Sequence, residues 1–329
     1  MNGNRVEAGG DSIWAVVLAA GEGTRLRSLT TTRGGLTIPK QFCSLRGGAS
    51  LLEEAIARAA AVSDRERILT VVAAQHRRWW QPPLRSLASG NVVVQPANKG
   101  TAAGLLLPLL HIAQRDPDAT IVVLPADHHV RDEPTLARTL RQATRLARVD
   151  SRHVYLLGLE PDQPDPELGY IVPGVRTDLA ATPVSCFVEK PAPAVARDLV
   201  QAGALWNVFI LAATARALLG LYAQRHASLV ADIATAARQD WHSPQCGQGV
   251  ARCYPDLPVL DFSRDVLQGQ ESALRVLTLP ACGWSDLGTP HRVAATLSLC
   301  GDRHAGPPHG PHTAHLSLAD QHSRQQLAR

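Results

Sequence analysis

AVVLAAGEGTRLRSLTTTRGGLTIPKQFCSL, residues 15–45, decides how this chain is to be read. Ala15 to Ala20 is a continuous apolar run, which predicts a strand buried on both faces. It leads straight into Gly21-Glu22-Gly23-Thr24-Arg25-Leu26, and Pro39-Lys40-Gln41-Phe42 follows a short distance on. Glycines at a strand end let the backbone approach a phosphate closely, and successive N–H groups can then cradle it. Arg25 and Lys40 place two cations beside the same spot. The combination suits a polyphosphate and predicts a site for a nucleoside triphosphate. Two familiar phosphate loops do not fit. A dinucleotide fingerprint carries glycine where Leu26 stands, which argues against an NAD-dependent oxidoreductase, and no Gly-Lys-Ser/Thr closes a P-loop.

Working outward, Ser50 precedes LLEEAIARAAAV with Glu53 three residues on, the pattern of a capping box. Apolar runs follow at Ile68 to Ala74, Asn91 to Val94, Thr120 to Ala126 and Val154 to Leu159. Helical stretches lie between, Thr101 to Gln114 with Pro108 as a kink and Glu133 to Arg148. This alternation predicts an α/β fold, a mixed but mostly parallel sheet with helices on both faces. In such sheets ligands bind at the carboxyl ends of strands, where the loops after Ala20 and Ala126 fall. From about residue 160 the pattern changes to short extended pieces and Pro-rich turns, which predict an insertion covering the sheet and supplying a second substrate. Residues 1–11 and 301–329 read as flexible tails, so residues 12–300 form the catalytic unit and about 160–290 its sugar-binding part. His309, His312 and His315 read as part of a solvated tail rather than a metal site.

The composition bounds the class. The chain has 329 residues, 45% hydrophobic and 19% charged, ordinary for a soluble globular enzyme. A net charge of +4 is too small at this length to argue for nucleic acid. The cysteines, Cys43, Cys186, Cys246, Cys253, Cys282 and Cys300, form no C-x-x-C pair and no disulfide framework. With no signal peptide and no apolar stretch of membrane-spanning length, the expected setting is the reducing cytoplasm, with no membrane partner.

Three elements carry the remaining chemistry. Asp127 ends the fourth strand in LPADHHV, and Asp286 lies in GWSDLG; two such loop aspartates can share one Mg²⁺ with phosphate oxygens. In FVEKP, Lys190 stands just before a proline and is held extended, ready to bind a second phosphate as a point charge, and Glu189 can accept from sugar hydroxyls. Gly169-Tyr170 and Trp206-Asn207 offer a backbone contact, an aromatic wall and an amide for a sugar pocket.

In order along the chain, AAGEGTRL, PKQF, NKGTAAG, LPADH, GY, FVEKP, WNVFIL, DFSRDVL and GWSDLGT resemble the sugar-1-phosphate nucleotidylyltransferases, and most of all the mannose-1-phosphate guanylyltransferases. The resemblance runs from about Ile13 to Cys300. It implies a Rossmann-like nucleotidyltransferase fold and a reversible, Mg²⁺-dependent reaction in which a sugar 1-phosphate oxygen attacks the α-phosphorus of an NTP and pyrophosphate leaves. It implies nucleotide contacts from Ala19, Ala20, Gly21, Gly23, Thr24, Arg25, Lys40, Gln95, Gly100 and Thr101. It implies sugar-phosphate contacts from Gly169, Glu189, Lys190 and Asn207, metal contacts from Asp127 and Asp286, and catalytic roles for Arg25, Lys40 and Lys190. The implied partners are GTP by preference and a sugar 1-phosphate; a homo-oligomer is left open.

The family's guanylyl members usually carry RNTA where Lys99-Gly100-Thr101-Ala102 stand, and small residues where Val208 and Phe209 stand. Uridylyl or thymidylyl transfer to another hexose 1-phosphate therefore remains an alternative, as does a non-catalytic sensor of nucleotide sugars.

Overall fold

Along Ile13–Ala19 every residue is apolar, yet the side chains alternate between two separate cores. Trp14 and Val16 point to one, Ala15, Val17 and Ala19 to the other. The same alternation holds in the flanking strands, where Leu69 and Val71 oppose Ile68 and Val72, and Ile121 and Val123 oppose Val122 and Leu124. A strand covered on both faces has no solvent side to keep polar, which is why these segments read as unbroken apolar runs.

The computed structural model describes residues 12–32, 34–175, 180–241 and 248–300, together with the pair 314–315. Its main sheet contains β1 (Ile13–Ala19), β2 (Ile68–Ala73), β3 (Val92–Gln95), β4 (Thr120–Pro125), β5 (Val154–Leu159), β6 (Gly169–Pro173), β7 (Thr182–Val188), β8 (Leu205–Thr214) and β9 (Leu274–Leu279). The strand order is β3-β2-β1-β4-β8-β5-β9-β7-β6, with β6 also paired to β8. β7 and β8 run against the rest, so the sheet is mixed and mostly parallel, as expected. On one face lie α1 (Leu51–Ala60) and α3 (Glu133–Val149). On the other lie α2 (Gly100–Arg115) and α5 (Ala215–Trp241), joined where Tyr222 Oη donates to the Ala102 carbonyl at 2.8 Å. Between β7 and β8 comes α4 (Pro193–Gln201). The chain closes its described part with α6 (Gln248–Cys253) and α7 (Pro290–Cys300).

The capping box at the start of α1 is present, with Ser50 N donating to Glu53 Oε2 at 2.7 Å and Glu53 N to Ser50 Oγ at 3.3 Å. Two expectations are corrected. α2 runs as one helix through Pro108; the break in helical geometry falls instead at His226, with φ −135° and ψ 45°, inside α5. The segment after residue 160 covers the sheet only in part, through α5 on one face. It extends the sheet, and β8 inserts antiparallel between β4 and β5 at its centre. The apolar run through Leu205–Thr214 lets β8 be buried on both faces like its neighbours.

The expected tails, 1–11 and 301–329, lie outside the described residues, apart from Ala314–His315, which pairs parallel with Cys43–Ser44. His309 and His312 lie outside them as well. Among the described residues no helix is long and apolar enough to cross a membrane.

Candidate active site

The carboxyl ends of β1 and β4 open onto a cleft of about 560 Å³. Its phosphate-loop side is held from below by Gln41, whose Nε2 donates to the carbonyls of Ala19 at 2.9 Å and Gly21 at 2.8 Å. Gly23 has φ +63°, and a Cβ there would lie 2.9 Å from the Lys40 backbone nitrogen, so only glycine lets the loop lie on the Pro39–Lys40 segment. At Gly21, by contrast, a Cβ would meet no protein atom within 4 Å.

Asp127 and Asp286 meet at the same end of the cleft although 159 positions separate them. The backbones of His129 and Ser285 exchange hydrogen bonds of 2.9 Å in both directions, and the N–H groups of Arg131 and Asp132 donate to Cys282 O. Lys40 completes the junction. Its buried ammonium lies 2.8 Å from Asp127 Oδ2 and 2.6 Å from the Asp286 carbonyl oxygen. Burial pushes the Asp127 carboxyl up, but Lys40, His128 and the Lys40 hydrogen bond outweigh it and hold Asp127 below its ordinary value. Asp286 Oδ1 accepts from Gly288 N at 3.0 Å and from Arg292 Nη1 at 2.5 Å. The other arm of the Arg292 guanidinium pairs with Asp165, so this arginine of α7 positions Asp286 and ties it to the loop before β6.

These carboxylates fit a Mg²⁺. Asp286 Oδ2 takes no hydrogen bond among the described residues, and both aspartates line the cleft. Among the described residues no cluster of three or more His, Cys, Asp or Glu could hold a metal unaided. A hard cation at this point would therefore draw its remaining oxygens from substrate phosphates, as Mg²⁺ commonly does.

The same cleft also holds the predicted sugar-side residues together. Gly169 on β6 has no room for a Cβ, which would lie 2.5 Å from Glu189 Oε2 and 3.4 Å from Asn207 Cβ. Burial raises the Glu189 carboxyl, Asp261 adds to the rise and Lys190 opposes it. Lys190 Nζ is 3.4 Å from Glu189 Oε1, with the lysine side chain about half exposed. Asn207 is braced by its own wall, accepting from Phe209 N at 3.1 Å and reaching Ser263 Oγ at 3.4 Å. Lys190, Phe209 and Leu287 have φ of +47°, +56° and +48°, so Lys190 is left-handed rather than extended as its place before Pro191 predicts; two of the three line the cleft and the third follows Asp286. Such strain in non-glycine residues concentrates where a site is held in one geometry.

Of the residues predicted from sequence, Ala20, Gly21, Arg25, Gln95, Gly100, Thr101, Asp127, Gly169, Glu189, Lys190, Asn207 and Asp286 all line this cleft. Ala19, Gly23 and Lys40 stand behind it or beside it as framework, and Thr24, exposed and absent from the lining, opens the turn after Gly23. Three have partners the sequence did not suggest. Arg25 Nη1 reaches across to Glu167 Oε2 at 3.0 Å. Thr101 Oγ1 accepts from Phe262 N at 2.7 Å and donates to Asp261 Oδ2 at 3.2 Å. Gly100, at φ +80°, is pressed against Leu260, whose carbonyl oxygen a Cβ would meet at 2.1 Å.

The segment 259–265 thus forms a third wall, and Asp261, Ser263, Arg264 and Asp265 line the cleft from it. Sequence reasoning assigned none of these a role, nor Gln41, Glu167, Arg292, His128 or Trp284. Several stand inside quoted motifs, but their contacts cross long stretches of chain and no local pattern announces them.

A family model described as nucleotidyl transferase matches residues 14–297. The chain is 33% identical over 198 residues to the mannose-1-phosphate guanylyltransferase of Klebsiella pneumoniae, covering 58% of this chain and 41% of that protein. It is 28% identical over 299 residues to the mannose-1-phosphate guanylyltransferase of Escherichia coli (strain K12), covering 84% and 58%. The chain spans about half the length of these curated relatives. A solved structure from Thermus thermophilus, described as a mannose-1-phosphate geranyltransferase, superposes with a TM-score of 0.72 at 27% identity, covering 84% of this chain and 76% of that one.

His128 makes the cleft sensitive to acid. Burial lowers its pKa from 6.5 to about 3 against the opposing pull of Asp127, with Lys40, Arg58 and Arg25 lowering it further. The ring packs edge-on against Trp284 at 5.3 Å. The unfolded chain takes up a proton that the folded one refuses, so this group costs stability as pH falls from 6.5 toward about 3. His128→Phe should flatten that part of the profile of denaturant midpoint against pH; an unchanged slope would show that His128 does not carry it.

Proposed function

The chain belongs to the nucleotidyl transferase family, and on that premise we propose that it transfers a nucleotidyl group from an NTP, GTP by preference, to a sugar 1-phosphate, mannose 1-phosphate by preference. The observation that carries this reading is the meeting of two charged groups of residues at one cleft: Arg25, Asp127 and Asp286 with Lys40 beside them, and Lys190, Glu189, Gly169 and Asn207. The reaction forms a bond from the sugar phosphate oxygen to the α-phosphorus and breaks the bond from that phosphorus to the departing pyrophosphate. The attacking oxygen is already ionised near neutral pH, so no side chain need remove a proton. What the protein must supply is alignment and charge compensation for two anions.

Each residue has a place in that task. The N–H groups of the Gly21–Thr24 loop and the Arg25 guanidinium hold the triphosphate, Arg25 exchanging Glu167 for a phosphate oxygen. Lys40 keeps Asp127 ionised and the two aspartate loops together. Asp127 and Asp286 would hold Mg²⁺, which when bound screens the repulsion between the reacting phosphates. Lys190 draws in the sugar phosphate as a point charge on a flexible stem, with Glu189 as its neighbour. Glu189, the Gly169 backbone and Asn207 orient sugar hydroxyls. The preference for GTP and mannose 1-phosphate rests on the names of the relatives. The free thiols Cys43, Cys186, Cys253 and Cys282 suit a cytoplasmic setting.

Pyrophosphate release by the purified chain with Mg²⁺, GTP and mannose 1-phosphate is the direct test. Release with a different NTP or sugar phosphate would reassign the substrates, and no release with any pair would overturn the reaction. Asp127→Asn and Asp286→Asn should each lower turnover on the order of 10²-fold or more. Lys190→Ala should raise KM for the sugar phosphate and leave KM for the NTP nearly unchanged; the reverse pattern would remove Lys190 from that role.

Because Glu167 competes with the triphosphate for Arg25, Glu167→Gln should lower KM for the NTP. An exposed pair of this kind is worth up to about 1 kcal/mol, so the change should not exceed roughly fivefold. A raised KM would instead make Glu167 a substrate contact.

A further inference from the structure

A second cavity of about 610 Å³ lies between α1 and α3, comparable in size to the cleft. Five arginines line it, Arg46, Arg58, Arg131, Arg138 and Arg141, against two carboxylates, Glu54 and Glu133. Arg58 is the buried member, 3% exposed. Its Nε and Nη2 hold Glu133 at 2.7 to 3.2 Å, while its Nη1 is buried without a hydrogen-bond partner among the described residues. Arg138 and Arg141 bond neutral oxygens, Thr135 Oγ1 and the Ala61 carbonyl, each at 2.8 Å. Arg46 and Arg131 line the cavity as exposed cations.

A buried guanidinium with an unused donor is costly unless something accepts from it. Positive charge in such excess, presented as planar guanidinium forks, is chemistry for phosphate oxygens. Ala57, Val130, Pro134 and Ala137 add apolar surface for a carbon skeleton.

The cavity shares a wall with the active-site cleft. Asp127 and His128 line the cleft, and the next three residues, His129, Val130 and Arg131, line the second cavity. That same strip holds the Asp286 loop, through His129 with Ser285 and through Arg131 and Asp132 with Cys282. We propose that this arginine-lined cavity binds a small phosphate-bearing anion, and that its occupancy acts on both aspartates through the strip Asp127–Arg131. The path is a continuous run of backbone and paired hydrogen bonds. The ligand would shift the cleft only so far as it binds one arrangement of the strip better than another.

Inorganic tripolyphosphate is a suitable probe, titrated calorimetrically into the full chain, Arg46→Ala/Arg138→Ala and Arg25→Ala/Lys190→Ala. The wild type should bind two per chain, and each double variant should keep one. Wild-type stoichiometry and affinity in Arg46→Ala/Arg138→Ala would overturn the site. So would a second site that vanishes at about 0.15 M salt, the mark of diffuse charge attraction. In Arg25→Ala/Lys190→Ala, the probe should slow amide exchange at His129 and Ser285 several-fold; unchanged exchange would overturn the coupling. Neither readout depends on the chemical reaction proposed above, so failure of one does not imply failure of the other.

Discussion

The Lys40 ammonium sits between the Asp127 carboxylate and the Asp286 carbonyl with almost no access to water. Burying an ammonium alone is expensive, and it is tolerated here because the partly exposed Asp127 carboxylate and the Asp286 carbonyl stand at hydrogen-bond distance. The pair fixes more than its own geometry. Lys40 follows the phosphate loop, Asp127 follows the central strand β4, and Asp286 lies beyond the last strand. One ion pair with one further hydrogen bond therefore draws three distant segments to a single point. Gly23 permits this, because a side chain there would collide with the Lys40 backbone.

Around that point the cleft is organised by charge. Arg25 with Glu167, and Arg292 with Asp165 and Asp286, tie the glycine loop and the Asp286 loop to the loop that precedes β6. The first contact is exposed and easily exchanged; the second is largely buried and serves to position. The cleft thus carries an exposed, exchangeable ion pair beside a largely buried one. The three left-handed backbones at Lys190, Phe209 and Leu287 belong to the same design, since a local cost persists only where surrounding packing enforces it.

The insertion of β8 between β4 and β5 makes the later part of the chain a member of the sheet as well as a cover on one of its faces. Asn207 on β8 stands beside Gly169 on β6, and both lie in the sheet that carries Asp127 on the loop after β4. Both groups of cleft residues are therefore carried by one sheet, which suits the alignment that the proposed reaction requires.

The elements that could be read from sequence were those governed by local chemistry. Unbroken apolar runs marked β1, β2, β4 and β5, because strands buried on both faces need no polar side. Ser50 and Glu53 marked the start of α1, because a cap is made within four residues. The glycine loop, the cations and the two aspartates could be picked out as residues of one cleft because polar and charged groups stand there at the ends of apolar strands. Direction in the sheet was not legible for β8, since a doubly buried strand has the same pattern whichever way it runs. Nor were Gln41, Glu167, Arg292 or the wall at 259–265, whose roles arise from partners far away in the chain. Sequence alone determined which groups are available for the chemistry. Only the tertiary structure decided which of them meet, because pairing between distant segments depends on the order of strands in the sheet, and no local pattern encodes it.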